Sequence, residues 1–354
     1  MRMKKLILFA AMAAIAVSCA KTGEVKPESG QAIGFDTWTS NLTKSTHSPF
    51  ATGATFNVYG YKHTGNEATH TTVFNGDVVT LANTGSWNYT SIRFWDRSTD
   101  YYNFFAIAPS GIVASEPATP GLFTTNDITF EGKNGDVLVA KKKTVAKSSY
   151  GLVVNLDFVP QAALLDLKFK KAKNLEEATL TVNSVRIKNI QTKGHLEVSE
   201  YDGDLKPVTE WELANPGATA NFNNTHGITS VTVPVSIAAG VSYGTANSQF
   251  LINKLIVMPQ TLNLSQQLEI NYTVHFSGGT ITHTRTIDLN KFDRTDMDQD
   301  AGRDESDQNT EPFITSWEPG KHYTYYLTIN ADIIVFNATI SEWTDVDAFH
   351  YIIN

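Results

Sequence analysis

Nine residues, Leu268 to Phe276, restrict the fold of this chain more than any other stretch. Leu268, Ile270, Tyr272, Val274 and Phe276 alternate with Glu269, Asn271, Thr273 and His275. Side chains fall on opposite faces at every step only in extended chain. A period of two with one apolar phase therefore marks a strand lying on a core. The pattern recurs: Leu165, Leu167 and Phe169 alternate with Asp166, Lys168 and Lys170; Tyr323, Tyr325, Leu327 and Ile329 share a face, as do Ile334, Phe336, Ala338 and Ile340. Shorter candidates are Thr55–Tyr61, Tyr101–Ala108, Asp136–Ala140, Val153–Val159, Ser230–Val235 and Leu251–Met258. In Leu180–Ile187 the alternation changes phase between Val182 and Val185, the signature of a bulge. Only Ala172–Ala178 is helix-prone, and it allows two turns at most. Asn75-Gly76, Asn134-Gly135 and Gly278-Gly279 punctuate the strands as turns. The fold class is all-β, with many short strands packed as sandwiches.

The only cysteine, Cys19, allows no disulfide within the chain, so hydrophobic cores must hold the fold. Its setting gives it another role. Arg2, Lys4 and Lys5 precede an apolar run from Leu6 to Val17, which is too short to cross a hydrocarbon layer of about 30 Å as a helix. The run suits a secretory leader. It ends at Ala16-Val17-Ser18-Cys19, so residues 1–18 are expected to be a lipoprotein signal peptide. Cys19 is then the lipid-bearing first residue, anchored through acyl chains in the outer membrane. Loss of the three leader cations takes the formal charge from −8 to −11. So acidic a chain has no electrostatic footprint for nucleic acid.

Residues 19–34 are polar and rich in Gly and Pro, and read as a tether. The Lys-rich segment Lys141–Gly151 reads as an exposed connector. It places an N-terminal β-domain at 35–147 and a C-terminal β-domain at 148–354.

Catalytic signatures are missing. There is no Gly-rich phosphate loop, Gly-x-Ser-x-Gly elbow or His-Glu-x-x-His helix. With a two-residue Gly278-Gly279 turn, His275 and His283 fall on opposite faces of a hairpin and share no metal. One segment has metal-like spacing. Asp296, Asp298, Asp300, Asp304 and Asp307 occupy positions 1, 3, 5, 9 and 12 of a twelve-residue calcium loop. Gly302 comes one place late for the sharp turn, however, and neither flank is helical. A solvated acidic loop is the competing reading. Trp87 and Trp95 lie in an aromatic-rich stretch that reads as core; exposed, they would instead stack on sugars and make a surface glycan-binding lipoprotein.

Several stretches together resemble the Bacteroidales fimbrillin and fimbrillin-like proteins, subunits of type V pili. They are Ile33-Gly34-Phe35, Phe56-Asn57-Val58-Tyr59-Gly60-Tyr61, Trp87-Asn88-Tyr89, Arg93-Phe94-Trp95 and Tyr102 to Pro109. Asp136 to Ala140, Val154 to Phe158, Trp317 to Lys321 and Ile340-Ser341-Glu342-Trp343 follow in the same order. The resemblance implies two tandem transthyretin-like β-sandwich domains displayed at the cell surface, with a structural or adhesive role and no enzymatic one. It implies partners too: other pilus subunits joined by strand exchange, and a host or bacterial surface receptor. A protease cut behind the first strand opens a groove that a strand from another subunit fills. Lys44 is the residue in that position here.

Overall fold

The computed structural model describes residues 30–39, 50–132, 136–214, 220–223, 234–241, 248–291, 314–330 and 334–342. In chain order the first strands are β1 Phe35–Thr39, β2 Thr55–His63, β3 His70–Leu81, β4 Trp87–Asn88, β5 Tyr101–Ala108, β6 Ile128–Thr129, β7 Leu138–Ala140 and β8 Lys143–Ala146. Next come β9 Val154–Pro160, β10 Ala163–Lys171, β11 Thr179–Ile190, β12 Lys193–Tyr201, β13 Pro207–Leu213, β14 Ala220–Asn223, β15 Val235–Ile237 and β16 Gln249–Val257. The last are β17 Gln260–Thr261, β18 Gln267–Phe276, β19 Gly279–Asp288, β20 Ser316–Trp317, β21 Lys321–Ile329 and β22 Ile334–Glu342. Helical turns among the described residues are single 3-10 turns, one of them at Lys173–Leu175 inside the helix-prone stretch.

The first sheet runs β1-β9-β7-β5-β2-β3-β4, with β8 also on β5. It carries an aromatic core built on Phe56, Phe74, Phe104 and Phe158, all fully buried. In the C-terminal half, β16-β10-β21-β22 faces β14-β11-β18-β19, and β15 also pairs with β11. The core between them holds the apolar phase of each alternating strand: Leu165, Leu167 and Phe169 from β10, Leu268, Ile270, Tyr272 and Val274 from β18, Tyr323, Tyr325 and Leu327 from β21. A small sheet, β13-β12-β6, joins the halves. Leu196 and Val198 pack under Tyr59, Phe105 and Val139 of the first sheet, while Trp211 and Phe130 meet Leu164 and Met258 of the second.

The expected bulge is present: the β11–β18 register shifts between Val182 and Ser184. The displaced Asn183 turns its amide nitrogen to Asn271 and Thr273, 2.8 Å from each acceptor. The hairpin turn between β18 and β19 is Ser277-Gly278 rather than Gly278-Gly279, since Phe276 already pairs with Gly279. Gly279 has φ +148, a backbone conformation that L side chains rarely adopt and that glycine, without a Cβ, takes freely.

Lys141–Gly151 is not an open connector. It contains β8, which pairs with β5 and buries Val145 while Lys143 stays in solvent. Strand β9, beyond the expected boundary at 147/148, still belongs to the first sheet through β1 and β7. The change from the first sheet to the second falls between Pro160 and Ala163.

Candidate functional site

The feature that bears on assembly is the seat of β1. The strand pairs in parallel with β9, from Phe35 opposite Val154 to Thr39 opposite Phe158. The chain just ahead of it is held on both sides. On one side Ile33 N donates to Arg93 O at 2.8 Å and Trp95 N to Gln31 O at 3.0 Å, with Ala32 bridged to Phe94. On the other, Val154 N donates to Gly34 O at 2.8 Å, and Gln31 Nε2 to Gly151 O at 2.7 Å. Residues 31–39 thus lie as one extended segment between 93–95 and β9.

Alternation decides what this segment inserts. Ile33, Phe35 and Thr37 are buried, whereas Asp36 is exposed. The Phe35 ring meets Phe74 at 5.3 Å, Tyr89 and Phe104 at 5.7 Å and Phe56 at 6.3 Å between centroids, each edge to face. Edge-to-face rings add to the roughly 1.5–3 kcal/mol gained by burying such a side chain. The slot is an apolar seat for an extended peptide with a large aromatic at its centre.

The wall opposite β9 is braced independently of β1. Arg93 donates from Nε to Val73 O at 3.0 Å, pairs with Asp77 at 3.3 Å and lies over the Phe74 ring. Trp95 stacks on Tyr150 at 4.7 Å. Asp96 accepts from Lys62 at 2.6 Å and from Ser98, bonds that hold its carboxyl well below the usual carboxylate range. Tyr89, whose pKa is raised by burial, donates its hydroxyl to Ile33 O at 2.6 Å and accepts from Arg93 N at 3.2 Å. Loss of residues 31–39 would strip partners from Arg93 O, Trp95 N, Val154 N and Tyr89. Each buried orphan costs about 1–3 kcal/mol, so an emptied slot demands another strand.

Of the residues singled out from sequence, Cys19, Lys44, Asp296, Asp298, Asp300, Gly302, Asp304 and Asp307 all lie outside the described residues. Trp87 and Trp95 are core residues, 7 % and 4 % exposed, so neither offers a face to a sugar. Trp87 instead packs on Phe50 and Phe56. His275 pairs with Thr280 and His283 with Tyr272, which leaves the two histidines on opposite faces in this register as well. Sequence reading missed the 93–95 clamp on the leading segment. Pairing across some sixty residues leaves no local trace.

Comparison with known proteins agrees with this architecture. The fimbrillin-like family profile matches residues 43–343. Fimbrium subunit Fim1C of Phocaeicola vulgatus is 24% identical over 238 residues, covering 63% of this chain. The match spans 59% of that relative's length. A fimbrial protein of Bacteroides vulgatus, known from its crystal structure, superposes with a TM-score of 0.58 at 19% identity, over 88% of this chain and 99% of the other. The agreement in fold and the family match over most of the sequence place the chain in the fimbrillin-like family.

Proposed function

We propose that this chain is a structural or adhesive subunit of a surface fimbria, assembled by exchange of its first strand. The observation that carries the reading is the seat of Phe35: four aromatic rings around one side chain of a short terminal strand. The precursor is exported as a lipoprotein, acylated at Cys19 and held at the outer membrane. A cut after Lys44 frees residues 31–39 and opens the slot to a strand from a second copy. The two sheet systems act as tandem domains with their boundary at Pro160–Ala163, and the chain serves as scaffold rather than catalyst.

The sequence itself offers a matching strand. Ile334-Val335-Phe336-Asn337-Ala338 repeats the order of Ile33-Gly34-Phe35-Asp36-Thr37: branched aliphatic, aromatic, then small residue in one phase, with Asp or Asn between. An extended donor with that order places its aromatic where Phe35 sits.

Surface protein from cells tests the reading. Polymer ladders that survive mild denaturant, together with a mature N-terminus at Ser45, are the expected result. A chain that stays monomeric after removal of residues 20–44 would sink strand exchange, and an unacylated Cys19 in the uncut precursor would sink the anchor.

A further inference from the structure

The face of the first sheet turned away from its aromatic core holds a cluster that strand exchange does not use. Register sets Tyr61 of β2, Asn103 of β5 and Thr144 of β8 side by side in one row. Lys142 stands two residues before Thr144, which makes it the diagonal neighbour of Asn103, within reach of a long side chain. Its backbone N–H is fixed on Leu205 O at 2.9 Å. Glu67 comes from the loop between β2 and β3, and His70 steadies it there. The His70 Nδ1 lies 3.1 Å from Glu67 O, and its ring is 4.3 Å from that of Tyr61. One carboxylate oxygen of Glu67, Oε1, accepts from the Tyr61 hydroxyl, from Lys142 Nζ and, at 3.0 Å, from Asn103 Nδ2.

The Asn103 carboxamide is 1 % exposed, and its partners fix which way round it sits. His63 Nδ1 faces Gly65 O at 3.2 Å, so the ring proton is on that nitrogen and Nε2 accepts from Asn103 Nδ2, again at 3.2 Å. Asn103 Oδ1 accepts from the Thr144 hydroxyl at 2.5 Å. These are the parts of an acyl transfer. There is an amine to act as nucleophile, an amide carbon with a donor on its oxygen, and a carboxylate touching both nitrogens that must exchange protons.

We propose that Lys142 and Asn103 become joined by an isopeptide bond, with Glu67 as the proton carrier. Burial pushes the Glu67 carboxyl up, but the bonds from Lys142 and Tyr61 outweigh it and hold it below its ordinary value, so the resting pair is ionic. Glu67 takes one proton from the ammonium and frees the Nζ electron pair, which attacks Asn103 Cγ. The carbonyl electrons move onto Oδ1, against the Thr144 hydroxyl. Glu67 hands its proton to Nδ2 and takes a second from Nζ. The Cγ–Nδ2 bond breaks, its electron pair leaves with ammonia, and the carbonyl re-forms. Glu67 gives its last proton to that ammonia. An ammonium side chain and a carboxamide have then become a secondary amide and an ammonium ion, with no oxidant consumed. Both nitrogens rest on one oxygen beforehand, so the encounter is already made. In a chain whose single cysteine can form no internal disulfide, the bond ties β8 covalently to β5. The cluster and the β1 slot lie on opposite faces, so cross-linking and strand exchange stand or fall separately.

Intact mass and a tryptic map of residues 20–354 test the proposal. The expected mass is lower than the sequence mass by one ammonia, and the map should contain a branched peptide joining Asn103 to Lys142. Glu67→Gln and Lys142→Arg should each restore the full mass and give separate linear peptides. A parent chain of full mass with Asn103 and Lys142 in separate peptides would overturn the bond. So would loss of ammonia without a branched peptide, as a succinimide at Asn75-Gly76 would give. A branched peptide that persists in Glu67→Gln would overturn the role of Glu67. The parent map decides the bond by itself, whether or not the variants fold.

Discussion

Tyr89 donates its hydroxyl to the carbonyl oxygen of Ile33 at 2.6 Å, bridging 56 positions of sequence. The Tyr89 hydroxyl oxygen in turn accepts from Arg93 N at 3.2 Å, so one phenol joins the leading segment to the wall that faces it. Tyr89→Phe should cost about 1–3 kcal/mol, since it orphans both groups in a part-buried site. Phe35→Ala should cost more, about 3–5 kcal/mol, by emptying the aromatic seat. Urea melts give the totals. Hydrogen exchange should show Tyr89→Phe opening residues 31–39 selectively; uniform loss of protection would show that the hydroxyl holds no separate unit.

Asp136 sets a pH dependence. Burial pushes its carboxyl up to about 7, against a smaller lowering by the Val137 backbone N–H. Below the ordinary carboxylate range both folded and unfolded states hold the proton. Between about pH 4 and 7 the unfolded chain loses it while the folded chain keeps it, so stability falls as pH rises, by up to about 1.4 kcal/mol per unit. Above about 7 the slope vanishes. Asp136→Asn should therefore raise the urea midpoint at pH 8 far more than at pH 4.5. An equal change at both pH values would refute the assignment.

Lys171 continues the apolar phase of β10 inward and is 1 % exposed. Its ammonium donates to Glu176 O, Ala178 O and Ala238 O, each at 2.9 Å, and so ties the 3-10 turn after β10 to the end of β15. Lys171→Met preserves length but leaves three carbonyls without that donor. A loss of about 3 kcal/mol is expected, as for a buried charge network broken on one side. A thermal melt within one degree of the parent would mean that water satisfies those carbonyls equally well.

A peptide of residues 334–342 should bind a chain truncated to start at Ser45. It should raise that chain's melting temperature and leave the full chain unaffected. The same peptide with Phe336→Asp should fail, because a carboxylate cannot enter a slot lined by Phe56, Phe74 and Phe104. Binding of both peptides alike would show adsorption rather than insertion.

Much of this architecture could be read from residues alone, for a definite reason. Strands with one buried face, such as β10, β18 and β21, write a period of two into the sequence, and the bulge at Asn183 appears as its one-residue slip. Strand β8 escaped because Lys143 and Thr144 face solvent and only Val145 is buried, leaving too short an apolar phase. Lys171 stood in the apolar phase, yet its three acceptors come from segments up to 67 residues away. The Phe35 strand was legible; its neighbours were not. Parallel partners such as β1 with β9 and β10 with β21 are chosen by tertiary packing rather than by a connecting turn.

The position of β9 more than a hundred residues downstream of β1 also orders events in time. Until Val154 to Phe158 have emerged and settled, the opening strand has only one side to rest on, and closing so long a loop comes late. The leading segment is therefore the last piece laid into its sheet. A part added last is the one most readily lifted out again with everything beneath it left standing.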